Sequence, residues 1–445
     1  MLDRKNTPEE VEKTFRLLDG LYLLGSLERG VTIYSQQIRA HNLAWALWEM
    51  DRRIGVLGNV AVVGGGIAGL TLSACLLALH HDIKITLFEQ SWDLCPVQQG
   101  SDVRWVHPRI YDWPFEGSRA PSASLPVLDW SEGRASDVAR TVLRDFSRYS
   151  ATFAKSHERL RVYLGLRNFK IEATRRTISW VGHAASLKEE FFELGRPEGD
   201  TQQFDKIILT TGFGTETHVE GYKKDSYWRN EQLGQPPSDG SLHRFLVSGF
   251  GDGAMVDLCR LKIERFRQDT IAYELFGNDL EKTERYFTDR IRVLGRDYNF
   301  FNMFKEIEET WLKVPKSRLA SRIRKDTAVT LHLRGRENEI ESFPQIFGRR
   351  SSFLHRLIVY LLYRCGAFDL EFSELKVAVQ RRGIASENVL CRYGADTVEH
   401  TKCLFSDPSS VEHRLLEIKA KQAQEPMRYW IPGTFPHFQN QEAVA

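Results

Sequence analysis

The stretch that most limits what this chain can fold into runs from Val60 to Glu89. Val60-Ala61-Val62-Val63 is a short, largely β-branched run suited to a buried parallel strand. Glycines follow at 64, 66 and 69 in the spacing G-x-G-x-x-G, and the spacing predicts an apolar helix from Ile67 to about Leu79. A second strand then runs to Glu89, twenty residues past Gly69. Gly64 permits the tight turn, Gly66 lets the backbone approach a diphosphate, and Gly69 lets the helix lie close to the strand. Gly65, Ile67 and Ala68 complete the cradle, where the helix directs its free N–H groups and positive end at the diphosphate. Glu89, with Gln90 beside it, is placed to accept the hydroxyls of an adenosine ribose. Its charge also repels a 2′-phosphate, so the expected nucleotide is FAD or NAD rather than NADP.

A chain of 445 residues is too long for one core, so two or three domains are expected. Its hydrophobic fraction of 42% and charged fraction of 27% are those of an ordinary soluble globular protein. A net charge of +2 gives no reason to expect nucleic acid or an anionic membrane as a partner. Residues 1–30 carry no signal-peptide core, and the most apolar later run, Leu357 to Tyr363, is far too short to span a bilayer. The six cysteines, at 75, 95, 259, 365, 391 and 403, show neither C-x-x-C nor metal-ligand spacing. Reduced thiols, no metal and a cytoplasmic location fit that pattern.

The stretch from Val60 to Glu89 resembles the N-terminal ADP-binding motif of the FAD-dependent oxidoreductases with two dinucleotide-binding domains. These form the glutathione-reductase-like and flavin-monooxygenase-like superfamily. The likeness is close over this stretch and holds only in outline elsewhere. It implies FAD on the first turn. It also implies that the loop from Asp93 to Pro114 runs back along the cofactor. On that footing Arg104 is the candidate phosphate contact, and His107 or Tyr111 lines the flavin or substrate, with His107 as the catalytic candidate. Cys95 lies near the place where disulfide reductases of this family keep a redox pair, but it has no partner at useful spacing, so a dithiol mechanism is not expected.

Strand patterns at 161–164, 170–173, 177–181 and 190–194 resemble the β-meander that this family places before its return to the nucleotide sheet. The return itself, Phe204 to Gly212, looks like the family's A-T-G motif with Thr210 replacing Ala. Thr211 and Gly212 are then expected to bring bare backbone beside the FAD. Ahead of the first strand, residues 1–58 read as a helical cap, with Thr7-Pro8 as a helix start and a second helix from Ser35 to Arg53. Gln36 and Arg39 on that helix are candidate cofactor contacts.

A second glycine cluster has two readings. Gly249, Gly251 and Ala254 match G-x-G-x-x-A after the strand Phe245–Ser248, the form common in second, NAD(P)-binding domains, with Asp252 and Gly253 inside the turn. The run Ala328 to Arg336 would be its second strand, ending in Arg334 and Arg336, which suit a 2′-phosphate and hence NADP. A helix from Ser352 to Cys365 and strands at 368–372 and 388–394 continue the βαβ rhythm. The other reading takes Gly251-Asp252 as the family's late Gly-Asp motif, whose Asp binds the ribityl chain of FAD. Residues 265–445 are then a separate helical domain. An insertion of about 264–325, with helices at 266–288 and 300–313, departs from a simple Rossmann unit. It suggests a substrate lid or a contact surface for a protein partner or oligomer. The basic run Lys316, Arg318, Arg322, Arg324, Lys325, Arg334 and Arg336 reads as a solvated face or a phosphate site.

The expected fold is therefore α/β: a helical cap (1–58), a Rossmann-type FAD-binding domain with an inserted β-meander (59–243, meander about 160–204), and a second α/β domain carrying a helical insertion (244–445). The expected function is an FAD-dependent oxidoreductase. Where both turns bind nucleotides, NAD(P)H is the reductant and an unidentified small molecule or oxygen takes the electrons. A non-catalytic FAD/NAD(P)-binding sensor or scaffold, and an enzyme that consumes a dinucleotide, are the alternatives.

Overall fold

The computed structural model describes residues 6–28, 30–54, 58–154, 159–188, 191–212, 217–222, 227–235, 240–296, 298–333, 340–348, 351–421, 427–431 and 433–436. The chain forms two compact α/β units, and it passes between them four times. Unit 1 comprises residues 1–101, 122–214 and 396–445, and unit 2 comprises 102–121 and 215–395. This differs from the consecutive boundaries expected above, and the reason lies in packing. Ile110 and Trp113 enter the core of unit 2 and carry residues 102–121 with them. Val398, Phe405, Val411 and Leu415 enter the core of unit 1, which claims the C-terminal residues.

Unit 1 is built on a mixed sheet of eight strands. These are β1 (Arg16–Leu18), β2 (Leu21–Leu23), β3 (Asn59–Val63), β4 (Lys84–Phe88), β5 (Leu160–Glu172), β6 (Thr177–Lys188), β7 (Phe191–Gln203) and β8 (Lys206–Leu209). Their order is β1-β2-β8-β3-β4-β5-β6-β7. The pairs from β2 through β8, β3 and β4 to β5 are parallel, and the flanking pairs are antiparallel. This arrangement is compatible with a Rossmann-like fold.

Residues 1–58 are not helical throughout. Between α1 (Pro8–Phe15) and α2 (Ile33–Ile54) the buried leucines 17, 21 and 23 form β1 and β2, which extend the sheet beside β8. The meander also differs from expectation, because two of its short strands are one. β5 runs through 160–172 with register shifts between Leu164, Arg167 and Lys170. Gly165 and Asn168 take positive φ there, so the polar interruption in the pattern is a bulge rather than a turn. Glu190, expected to open a strand, lies outside the described residues.

α3 (Ile67–Leu79) is apolar on every side and packs against α2 and α4 (Ala135–Phe153). A helix without a polar face is stable only when surrounded, and twelve of its residues are buried. Phe88 anchors the other side of the sheet, with Trp180 and Phe169 at ring centroids of 4.9 and 5.5 Å. Full burial of such a ring stabilises the fold by about 1.5–3 kcal/mol.

Unit 2 is built on a four-stranded, all-parallel sheet: β9 (His243–Ser248), β10 (Thr327–His332), β11 (Asp369–Glu371) and β12 (Val389–Cys391), in the order β11-β10-β9-β12. α5 (Asp252–Lys262) follows β9, and α6 (Phe353–Arg364) lies between β10 and β11. The reading of 265–445 as a separate helical domain does not hold, because residues 265–395 supply β10, β11 and β12, the other three strands of the sheet that contains β9. The insertion between α5 and β10 holds the helices Ile271–Phe276, Leu280–Leu294, Phe301–Glu306 and Lys313–Ala320. They break where Gly277 and Gly295 take positive φ, not at the boundaries expected from pattern. Phe287, Phe300 and Phe304 pack on Phe353 of α6 at 5.1, 5.0 and 5.4 Å, so the insertion builds the core of its own unit. Tyr273, Val293 and Val314 remain exposed on it.

Candidate functional site: the glycine turns

The first turn sits at the carboxyl end of the parallel strands. Gly64 takes φ +116°, a region that L side chains rarely enter, and its N–H donates to the Phe88 carbonyl at 2.7 Å. A Cβ on Gly64 would lie 2.6 Å from the Thr210 carbonyl oxygen, and one on Gly69 only 2.0 Å from the Gly64 oxygen. Thr210 tightens this packing, since its Oγ1 donates to the carbonyls of Val63 and Gly64 at 3.0 and 2.8 Å. That contact gives the threonine a physical reason to stand where Ala was expected. Gly66 is different, for a Cβ there would meet no heavy atom within 4 Å. The turn is closed toward its strands and open at Gly66. α3 begins there with no side-chain cap, leaving first-turn N–H groups for an anion. Ile67 is buried and Ala68 half-exposed.

Glu89 is buried and faces this turn. Its Oε2 accepts the Gly65 N–H at 2.6 Å and its Oε1 the Ser91 N–H at 2.8 Å. Each carboxylate oxygen has capacity for a second donor, so both can still receive hydroxyls. Gln90 beside it is exposed. Past β8, the Thr211 Oγ1 is buried with no hydrogen-bond partner among the described residues. Gly212 takes φ +66° with nothing within 4 Å of a Cβ. Leu24 N–H donates to the Leu209 carbonyl at 2.9 Å, which brings the loop after β2 to the same end of the sheet. Gln36 Nε2 donates to the Leu24 carbonyl at 3.1 Å, and buried Arg39 donates to Ser35 Oγ at 3.1 Å and pairs with Glu28. These two side chains therefore tie α2 to that loop.

Unit 2 repeats the frame. Gly249 takes φ +132°, donates to the His332 carbonyl at 3.1 Å, and leaves 2.4 Å between a Cβ and the Arg392 carbonyl oxygen. Gly251 is open like Gly66, with nothing within 4 Å. Gly253 lies under Tyr227 and Arg392, at 3.6 and 3.7 Å from a Cβ. Asp252 opens α5. Its Oδ1 accepts the Ser352 N–H at 2.9 Å and the His355 Nδ1–H at 2.8 Å, so this oxygen is held by the first turn of α6. Arg334 and Arg336, expected at the end of β10, lie outside the described residues.

The structure places Arg104, His107 and Tyr111 in unit 2. Arg104, expected at a phosphate, is buried. Its Nη1 donates to Asp257 Oδ1 at 2.7 Å, and its guanidinium lies 3.9 Å from the centre of the Tyr227 ring. Asp257 has no exposure and also receives Arg392 Nε at 2.8 Å, with Arg260 at 3.6 Å. Burial alone pushes the Asp257 carboxyl up, but Arg104, Arg392 and Arg260 outweigh it and hold the group below its ordinary value. His107, expected as the catalytic group, accepts the Arg109 and Ile110 N–H groups on Nδ1, both at 3.1 Å. That nitrogen caps the short turn Ile110–Asp112, and burial holds the imidazole below its usual value despite Asp269. The Tyr111 hydroxyl is pushed up by burial, with Tyr227 and Asp252 adding to the effect and Arg104 opposing it.

The basic run is largely committed inside unit 2. Lys316 pairs with Glu308 at 2.6 Å, Arg318 donates to the Leu275 carbonyl at 2.9 Å, and Arg324 pairs with Asp326. Among the described residues no group of three acidic, histidine or cysteine side chains could hold a metal, and no helix is long and apolar enough to cross a membrane. The Asp257 cluster, His355 and the Thr210 hydroxyl were not singled out from the sequence. His355 could have been noticed only as the third residue of a helix capped by Ser352, which is a weak signal. No known family model matches the chain, and no curated protein proves similar to it.

Proposed function

We propose that the chain is an FAD-dependent oxidoreductase of the two-dinucleotide-binding-domain type, with unit 1 holding FAD and unit 2 receiving NADH or NADPH. The observation that carries this reading is the first turn: an open Gly66, uncapped N–H groups on α3, and Glu89 fixed on the Gly65 N–H with acceptor capacity to spare. The residues present suit such a group. Gly64 to Gly69 would take the diphosphate, Glu89 the adenosine ribose, and the unpartnered Thr211 hydroxyl a polar atom further along the molecule. Bound FAD supplies hydride and electron transfer. The chain's own residues bind and orient it, and Thr210 and Gly69 hold the turn rigid beneath it. The repeated frame around Gly249–Ala254 supports a second nucleotide in unit 2, where its anionic diphosphate would meet the start of α5.

The test is spectroscopic. The purified full-length protein should carry a flavin absorbance spectrum, or acquire one with added FAD, and anaerobic NADH or NADPH should bleach it. A protein that neither retains nor takes up flavin sinks the reading. Flavin that no nicotinamide nucleotide reduces would favour the non-catalytic sensor or scaffold.

A further inference from the structure

Leu333 stands after β10 where Glu89 stands after β4. The register shows this directly, since Gly249 donates to the His332 carbonyl as Gly64 donates to that of Phe88. Leu333 is fully buried and offers no acceptor, so the second turn lacks the carboxylate that meets sugar hydroxyls at the first. Another acceptor lies beside the same turn. With its Nδ1 proton on Asp252, His355 keeps its lone pair on Nε2, across the ring from that carboxylate. His355 is 1% exposed, and Nε2 has no hydrogen-bond partner among the described residues. A buried acceptor left unpaired is destabilising, which calls for a reason. Tyr111 meets the ring edge-on, with centroids 5.4 Å apart, and contributes to its burial.

We infer that the Asp252–His355 pair replaces, in unit 2, the function of Glu89 in unit 1: His355 Nε2 accepts a sugar hydroxyl on the adenosine side of a nicotinamide dinucleotide. The inference rests on reading the second turn as a nucleotide site. α6 begins past the end of β10, the side of the turn on which Glu89 stands in unit 1, and this sets the adenosine half beside His355. His355 is the contact, and Asp252 is a positioning residue that fixes its tautomer. An imidazole, unlike a carboxylate, carries no negative charge to repel a 2′-phosphate, so unit 2 accepts NADH and NADPH alike.

Fluorescence titration of the full-length protein with NADH, NADPH and reduced nicotinamide mononucleotide, which lacks the adenosine half, tests this. His355→Phe should weaken NADH about tenfold and leave the mononucleotide unchanged. His355→Gln, whose amide oxygen still accepts, should retain most of the affinity, and Asp252→Asn should fall between. Should the Phe variant fail to fold, His355→Met makes the same comparison. NADH binding equal to wild type in a folded apolar variant overturns the inference. So does an equal loss for the mononucleotide, which would make His355 a packing residue. Wild-type protein that binds none of the three overturns the second-turn reading together with this inference, while flavin retention reports separately on the first turn.

Discussion

The two glycine turns share a backbone and almost nothing else. Thr210 N–H donates to the Val63 carbonyl and Arg392 N–H to that of Ser248, both at 2.8 Å, so β8 lies against β3 in the same register as β12 against β9. Both β8 and β12 lead to a glycine at positive φ two residues past these donors, Gly212 at +66° and Gly394 at +75°. The side chains on this common frame diverge. Val63 and Phe88 are apolar where unit 2 has Ser248 and His332, whose Oγ and Nδ1 lie 2.6 Å apart. Leu72 stands where unit 2 has Asp257, and Glu89 where it has Leu333. On the proposed reading, the shared frame sets where a nucleotide would lie and these side-chain differences would decide which one and how it is gripped; a repeated fold does not imply a repeated ligand.

The sharpest way to break the comparison is to fill the open position of each turn in isolation. Gly66→Trp should abolish flavin retention with little change in melting temperature, because nothing within 4 Å of its Cβ has to move. Gly251→Trp should keep the flavin and lose nicotinamide nucleotide binding instead. Flavin retained by Gly66→Trp would place the cofactor elsewhere.

Next in size is the buried ionic cluster around Asp257 in unit 2, at the position where unit 1 has Leu72. Asp257→Asn leaves three buried guanidinium groups facing a neutral amide, and removing one partner of such a cluster costs about 3–5 kcal/mol. The pH dependence follows from the direction of the shift. The carboxyl titrates below its ordinary value of 3.8 in the folded protein, so its stabilisation is complete above that value and lost as pH falls through the folded one. Urea unfolding of wild type and variant should therefore differ by a constant amount at neutral pH and converge only under acid. A gap that narrows already near neutrality would show that the arginines do not hold the proton off.

These differences also mark what was legible in the sequence. The first turn was, because its strand, glycines, helix and acid are contiguous and each has a local physical task. The two sheets followed from the same rhythm, although β1 and β2, at three residues each, left no readable alternation. The division into units was not legible, since it depends on which core receives Trp113 and Phe405. Nor was the Asp257 cluster: alone it reads as a polar residue on a helix, and its partners Arg104 and Arg392 lie 153 and 135 residues away. His107 illustrates the converse. A histidine in a polar, aromatic loop suggests chemistry, yet one of its ring nitrogens caps a turn.

The smallest effect concerns the last position of each motif, Gly69 against Ala254. Ala254 is fully buried and fits, whereas a Cβ on Gly69 would press into the Gly64 oxygen and Thr210 Oγ1 at 2.0 and 2.7 Å. Backbone sits on one side of that contact and a hydroxyl already bonded to it on the other, so neither yields cheaply. Gly69→Ala should cost about 1–3 kcal/mol by overpacking and weaken flavin retention as α3 moves off β3. Ala254→Gly should cost only about 0.5–1 kcal/mol, the ordinary penalty for glycine in a helix, and leave nucleotide binding intact. The pair of measurements separates two explanations of the glycine. If Thr210 causes the crowding, Thr210→Ala should recover part of the loss in Gly69→Ala. If the Gly64 carbonyl does, it should recover none, and the threonine would then matter for the turn's rigidity alone.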